Sequence, residues 1–296
     1  MIDSIINCAR PEQADVLLIG APYEHGASFG AGASRGPGAI LACLERQIEF
    51  FERHTRTEPA RRYPIAQRML SEIDLLPPED MVAQVADAVR GSEAFVVLLG
   101  GTHAVSIGAF RAHAGRDRAS EVTVLQLDAH LDLRDDDADY NDRDPSRYAH
   151  SCVMRRAHEM GFRTCAVGAR AYSRDEWRYA VENELPVFEW GRGAEPPVET
   201  ILQALATERV YLTIDIDGFD PAVAPGTGTP VPGGLSWDYG TRLIREVFRT
   251  KEVIGADVVE VAPGAGSGLT EYAAAQLCYD MLCYKLLKRD GELAFV

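Results

Sequence analysis

The chain has 296 residues, 46% hydrophobic and 25% charged, with 45 acidic against 30 basic side chains and a formal net charge of −15. That length suits one large α/β domain, and the acidic balance argues against a nucleic-acid partner, which calls for a basic surface. The longest apolar stretches are strand-length and far short of a membrane span. The six cysteines show no Cys-x-x-Cys spacing and nothing resembles a secretory signal, so a cytoplasmic protein with reduced thiols and no membrane partner is expected.

In chain order, residues 14–20 read as a first strand, because an unbroken apolar run of this length fits a strand covered on both faces. A glycine-rich loop over 21–38 precedes an amphipathic helix from about Ala39. It has neither the Lys-Ser/Thr ending of a phosphate-binding loop nor the spacing of a dinucleotide turn. It therefore reads as an ordinary connection or as a mobile loop over a site. Residues 58–76 are rich in Arg and Pro and give no pattern. A helix over 80–90 leads to a strand over 94–100, then to Gly101-Thr102-His103, which opens a further helix.

The strand 122–127 runs into Asp128-Ala129-His130-Leu131-Asp132. A loop carrying six aspartates between 133 and 144 comes next, either a solvated face or a segment that recognises an amine. Residues 148–156 start a helix with His150 near its N-terminus, where the helix dipole lowers a histidine's proton affinity. Strands near 165–168 and 187–188 alternate with helices near 173–183 and 197–207. The run 210–214 ends in Asp215-Ile216-Asp217 and a Gly/Pro-rich loop to 230. A helix over 237–249, a strand over 253–259 with Glu260 at its end, a helix over 269–287 and a short strand over 293–296 follow. The alternation predicts an α/β fold with a parallel sheet, as one domain over residues 1–296.

Asp128 and Asp215 lie at the C-terminal ends of buried strands, the edge at which open α/β sheets bind ligands. Gathering so many carboxylates is costly unless cations compensate them. A metal site is therefore expected, and because one carboxylate can bridge two ions, a two-metal centre is expected over a single ion. His103, on the same edge, is a further candidate ligand. His25, His54, His113 and His158 read as structural.

Five motifs in order, Gly100-Gly101-x-His103, Asp128-Ala-His130-x-Asp132, His150, Asp215-x-Asp217-x-x-Asp220-Pro221 and Asp257-x-x-Glu260-x-x-Pro263, resemble the ureohydrolase (arginase/agmatinase) family. The resemblance runs from about Gly20 to Leu282. It implies a three-layer α/β/α fold with a mainly parallel sheet of about eight strands, and two Mn2+ per subunit. It implies His103, Asp128, Asp132 and Asp215 as ligands of one ion and His130 and Asp217 as ligands of the other, with Asp128 and Asp215 bridging. The oxygen-rich set suits manganese better than zinc.

The implied reaction is hydrolysis of a guanidino group to urea and an amine. Asp128 takes a proton, Glu260 pairs with the guanidinium and His150 shuttles a proton to the leaving amine. The segments 148–156 and 224–235 look more like agmatinases than arginases, which implies agmatine as substrate with putrescine and urea as products. Guanidinobutyrate, guanidinopropionate, guanidine or arginine are the alternatives, as is a non-catalytic relative. A one-metal deacetylase on a similar fold is disfavoured by the second pair, His130 and Asp217. Family resemblance implies a homotrimer or homohexamer. Thr102 stands where the family usually has an acid and Ala104 where serine is common, a departure that puts the orientation of His103 in question.

Overall fold

The computed structural model describes residues 4–264 and 267–296. Among them are eight strands, all parallel, in the order β2-β1-β3-β8-β7-β4-β5-β6. They are β1 (Val16–Ala21), β2 (Ile65–Met69), β3 (Phe95–Gly100), β4 (Val122–Leu127), β5 (Arg163–Ala169), β6 (Val187–Glu189), β7 (Arg209–Asp215) and β8 (Glu252–Val259). The helices are α1 (Gly36–Arg46), α2 (Pro78–Arg90), α3 (Ser106–Arg116), α4 (Val153–Glu159), α5 (Arg174–Glu182), α6 (Val198–Ala204), α7 (Trp237–Thr250) and α8 (Leu269–Arg289). Among the described residues no helix is long and apolar enough to cross a membrane.

Alternate residues of each central strand feed two apolar clusters. Val16, Leu18, Val97 and Leu99 point to one, with Leu41 of α1, Ile201 of α6, Leu243 of α7 and Leu282 of α8. Leu17, Ile19, Val96 and Leu98 point to the other, with Val85 of α2, Phe110 of α3, Met154 of α4 and Ala180 of α5. The sheet is thus covered on both faces, giving the three expected layers. It also explains why β1, β3 and β4 are buried along their whole length and read as unbroken apolar runs.

Two expectations are corrected. Residues 58–76 contain β2, an edge strand whose Gln67, Arg68 and Met69 are exposed, so no apolar run marks it. Residues 293–296 form no strand: the tail docks on α8, with the Phe295 ring edge-on to Tyr284 at 5.0 Å and the Val296 N–H donating to the carbonyl of His54. Its apolar residues serve helix packing, which leaves a pattern that a short sequence cannot distinguish from a strand. The six cysteines are all unpaired.

Candidate metal centre

In a parallel sheet every strand delivers its C-terminus to the same edge. The four central neighbours β3, β8, β7 and β4 therefore present the segments beginning at Gly101, Glu260, Ile216 and Asp128 side by side. Two backbone features aim the side chains. Asp132 and Glu260 have φ of 51° and 61°, left-handed conformations that cost a non-glycine residue energy and persist where the surroundings over-determine them. The carbonyl of Asp132 is held by the N–H groups of Met154 and Arg155 at 3.0 and 3.1 Å, and Glu260 Oε1 accepts the His103 N–H at 2.7 Å.

His103, Asp128, Asp132 and Asp215 come together. The His103 Nδ1 lies 2.9 Å from Asp132 Oδ2, 3.2 Å from Asp128 Oδ2 and 3.5 Å from Asp215 Oδ2. A second group forms around His130, whose Nδ1 lies 3.2 Å from Asp217 Oδ2 and 3.4 Å from Asp128 Oδ1. Asp128 thus shows one oxygen to each imidazole. Asp215 faces the first group, and its Oδ1 accepts the Asp217 N–H at 3.0 Å. Asp217 Oδ1 accepts the Ala129 N–H at 3.1 Å, which ties the two aspartate segments together.

The electrostatics fit a cation-binding centre. Burial works against a charged His103, yet Asp128 and Asp132 outweigh it and hold the ring's pKa well above the ordinary value. Burial likewise opposes His130, but Asp128 and Asp217 push it up to about 12. Burial and the charge of Asp128 push Asp132 up to about 7. Burial, then Asp217, Asp128 and Glu260, raise Asp215 well above its usual range. Protons thus do the compensating that divalent ions can do instead. The donor set of imidazoles and carboxylates, with ligand atoms within 4.8 Å of one another in each of the groups His103–Asp128–Asp132 and Asp128–His130–Asp217, suits such ions.

His150 and Glu260 line the same cavity of about 360 Å³ as His130, Asp132 and Asp215. Burial, followed by the charges of His103 and His130, pushes His150 down to about 4. Its low proton affinity thus has burial as its leading cause among the groups around it, and α4 behind it has seven residues. Burial pushes Glu260 up to about 8. The glycine-rich loop reaches this cavity: Ser28 lines it and lies 3.2 Å from His150 Nε2. From the aspartate-rich loop Tyr140 lines it too, its ring 5.6 Å from that of His150. In that loop Asp137 is buried and accepts the Ser146 N–H at 2.5 Å, so one of the six aspartates is a fastener and not a solvated charge.

Sequence reasoning missed Ser28, Tyr140, Thr213 and Arg170. Arg170 donates to the carbonyls of Asp217 at 2.7 Å and Gly168 at 3.0 Å, bracing the turn below His130. An arginine directly after a strand, two residues beyond a glycine with φ of 104°, was the available signal. Asp220 is a loop fastener, accepting the N–H groups of Ala222, Gly233 and Gly234 at 2.8 to 3.0 Å. His113 is buried against Tyr211, His158 bonds Tyr179 and His54 meets Arg245, away from the centre. The buried Thr102 hydroxyl has no hydrogen-bond partner among the described residues.

Residues 14–283 match the family model described as the arginase family. The chain is 36% identical over 283 residues to the N(1)-aminopropylagmatine ureohydrolase of Synechocystis sp., covering 92% of this chain and 89% of that one. It is 35% identical to the enzyme of the same name from Thermus thermophilus, covering 94% and 92%. Its fold matches the crystal structure of the agmatine ureohydrolase of Thermoplasma volcanium with a TM-score of 0.84, at 25% identity, over 98% of this chain and 95% of that one.

Proposed function

Since the chain belongs to the arginase family, we propose that its paired centre serves the hydrolysis of a guanidino group to urea and an amine. One observation carries this reading: Asp128 is shared by two imidazoles that each bring a further carboxylate, beside a cavity holding His150 and Glu260. His103, Asp128, Asp132 and Asp215 would hold one ion, and His130 and Asp217 the other, with Asp128 and Asp215 common to both. Two divalent ions held there, Mn2+ by the oxygen-rich donors, would make a water acidic enough to act as nucleophile near neutral pH.

The chain's own groups do the rest. The proton that the nucleophile gives up would go to Asp132, which burial and the charge of Asp128 push up to about 7. It would not go to Asp128, as the resemblance implied, because against burial His103 and His130 hold that carboxyl below its usual range and each face one of its oxygens. Glu260, raised to about 8 by burial, pairs with the guanidinium, and the entering cation restores its charge. His150, neutral at rest with a pKa of about 4, collects a proton and hands it to the leaving amine, as a shuttle does.

The substrate proposed is an amine-tailed guanidine, agmatine first, yielding putrescine and urea. Arg134, which lines the cavity, is paired with Asp139 and lies 3.7 Å from Glu176, so its charge is already answered and does not favour a carboxylate tail. A second reading is N(1)-aminopropylagmatine, the substrate in the names of the two relatives. In its favour, a neighbouring cavity of about 440 Å³ shares Arg134, Ser173 and Glu176 with the first and adds Asp136, Asp175 and Glu182.

A urea-release assay with added manganese decides, over agmatine, N(1)-aminopropylagmatine, arginine, guanidinobutyrate, guanidinopropionate and guanidine. Faster turnover of a carboxylate-tailed compound than of both amine-tailed ones would overturn the substrate reading. We further propose a cytoplasmic homotrimer or homohexamer acting in polyamine biosynthesis on a small cationic substrate, with neither nucleic acid nor membrane as partner. Light scattering on the eluting species tests the oligomer.

A further inference from the structure

We infer that Thr213 and Asp257 are positioning residues for His103: hydrogen-bonded in line behind it, they fix which ring nitrogen carries hydrogen and leave Nδ1 free for an ion. Thr213 of β7 and Asp257 of β8 are cross-strand partners in the parallel ladder. The Thr213 hydroxyl donates to Asp257 Oδ1 at 2.6 Å and lies 2.8 Å from His103 Nε2. His103 is 1% exposed, and Thr213 and Asp257 are 0%, so water cannot substitute for any member.

The direction of the chain follows from counting hydrogens. A hydroxyl has one hydrogen to give, and a carboxylate can only accept. Thr213 spends its hydrogen on Asp257, so toward His103 it can only accept, and Nε2 must be the N–H. The lone pair of the neutral ring is then on Nδ1, the nitrogen 2.9 to 3.5 Å from Asp132, Asp128 and Asp215. Imidazole ligands commonly have a partner on the far nitrogen that sets the tautomer and the ring plane. The neighbouring Thr102 cannot serve, because its hydroxyl has no partner among the described residues. In this chain the orienting carboxylate comes from across the sheet, through a threonine.

The inference rests on the metal-centre reading, and the test separates the two. Manganese is titrated into chelator-stripped wild type, Thr213→Val, Thr213→Ser and Asp257→Asn, with bound ions counted by elemental analysis and folding checked by circular dichroism. Thr213→Val keeps the shape and removes the hydroxyl. Asp257→Asn offers an N–H that can reverse the chain and put the hydrogen on Nδ1.

The expected result is that wild type and Thr213→Ser bind two ions with affinities within about threefold. Thr213→Val and Asp257→Asn are expected to weaken one of the two sites by at least about tenfold and the other much less. Unchanged affinity in both weakened variants overturns the inference, as does equal loss at both sites. So does failure of serine to rescue. If Thr213→Val does not fold, the contrast of Asp257→Asn with Thr213→Ser decides. Fewer than two ions in wild type overturns the metal-centre reading itself, and this inference with it.

Discussion

His150 and Asp215 illustrate two ways in which a single side chain can matter. His150 contacts Ser28 and lies against the tilted ring of Tyr140, and it is not among the groups that converge on His103 or His130. Its replacement should therefore leave the donors in position. His150→Ala is expected to keep the metal content of wild type and to lower turnover at least about tenfold, the lower end of what proton-transfer groups contribute. Unchanged urea release would refute the shuttle. Asp215 instead faces the His103 group and braces Asp217 through its backbone N–H. Asp215→Ala is expected to lose ions from both positions, and two ions per chain by elemental analysis would contradict that. Tyr140 and Ser28 were not legible in the sequence as site residues, since both lie on long loops whose path is set by packing far along the chain.

At the scale of elements, the centre depends on how closely β4 and β7 approach at their C-terminal ends. A Cβ added at Gly218 would lie 2.7 Å from the Asp128 nitrogen and 2.9 Å from the Leu127 carbonyl carbon. Backbone cannot give way as a flexible side chain does. Gly218→Ala is thus expected to cost about 1–3 kcal/mol, as overpacking does, and to lower the unfolding midpoint by several degrees. It should also weaken manganese binding, because Asp128 must move with its strand. A variant with wild-type midpoint and wild-type metal affinity would show that the turn is looser than this.

At the scale of the whole molecule, the stability of the metal-free chain should depend on pH with a definite sign. Burial and Asp128 raise Asp132 to about 7, and burial raises Glu260 to about 8. A carboxyl raised on folding withdraws stability as pH climbs above its unfolded value of about 4. Against burial, Asp128 and Asp217 raise His130 to about 12. A raised imidazole contributes stability fully below its unfolded value of about 6.5 and loses it as pH rises. His150, pushed down to about 4 by burial, works the other way up to about pH 6.5. It is outweighed by the raised groups His103, His130, Asp132, Asp215 and Glu260, so the folded chain binds more protons than the unfolded one. The thermal midpoint of chelator-treated protein is expected to fall from about pH 5 to about pH 8, and to fall less with manganese, whose binding replaces those protons. A chelated midpoint that rises over this range would refute the assignment.

The sequence by itself determined the parallel α/β character and singled out the side chains that converge around His103 and His130, because a strand buried on both faces must be apolar and a carboxylate at its end stands out. The same rule failed for β2, whose exposed face breaks the run, and for residues 293–296, where helix packing imitates a strand. Only the tertiary structure decided that Asp128 divides its oxygens between two imidazoles and that burial, with His103 and His130 nearby, depresses His150. It also decided that His103 is oriented from β7 and β8 and not by its neighbour Thr102. These depend on distances between strands that are neighbours in the sheet but lie far apart along the chain, which residue order alone does not encode.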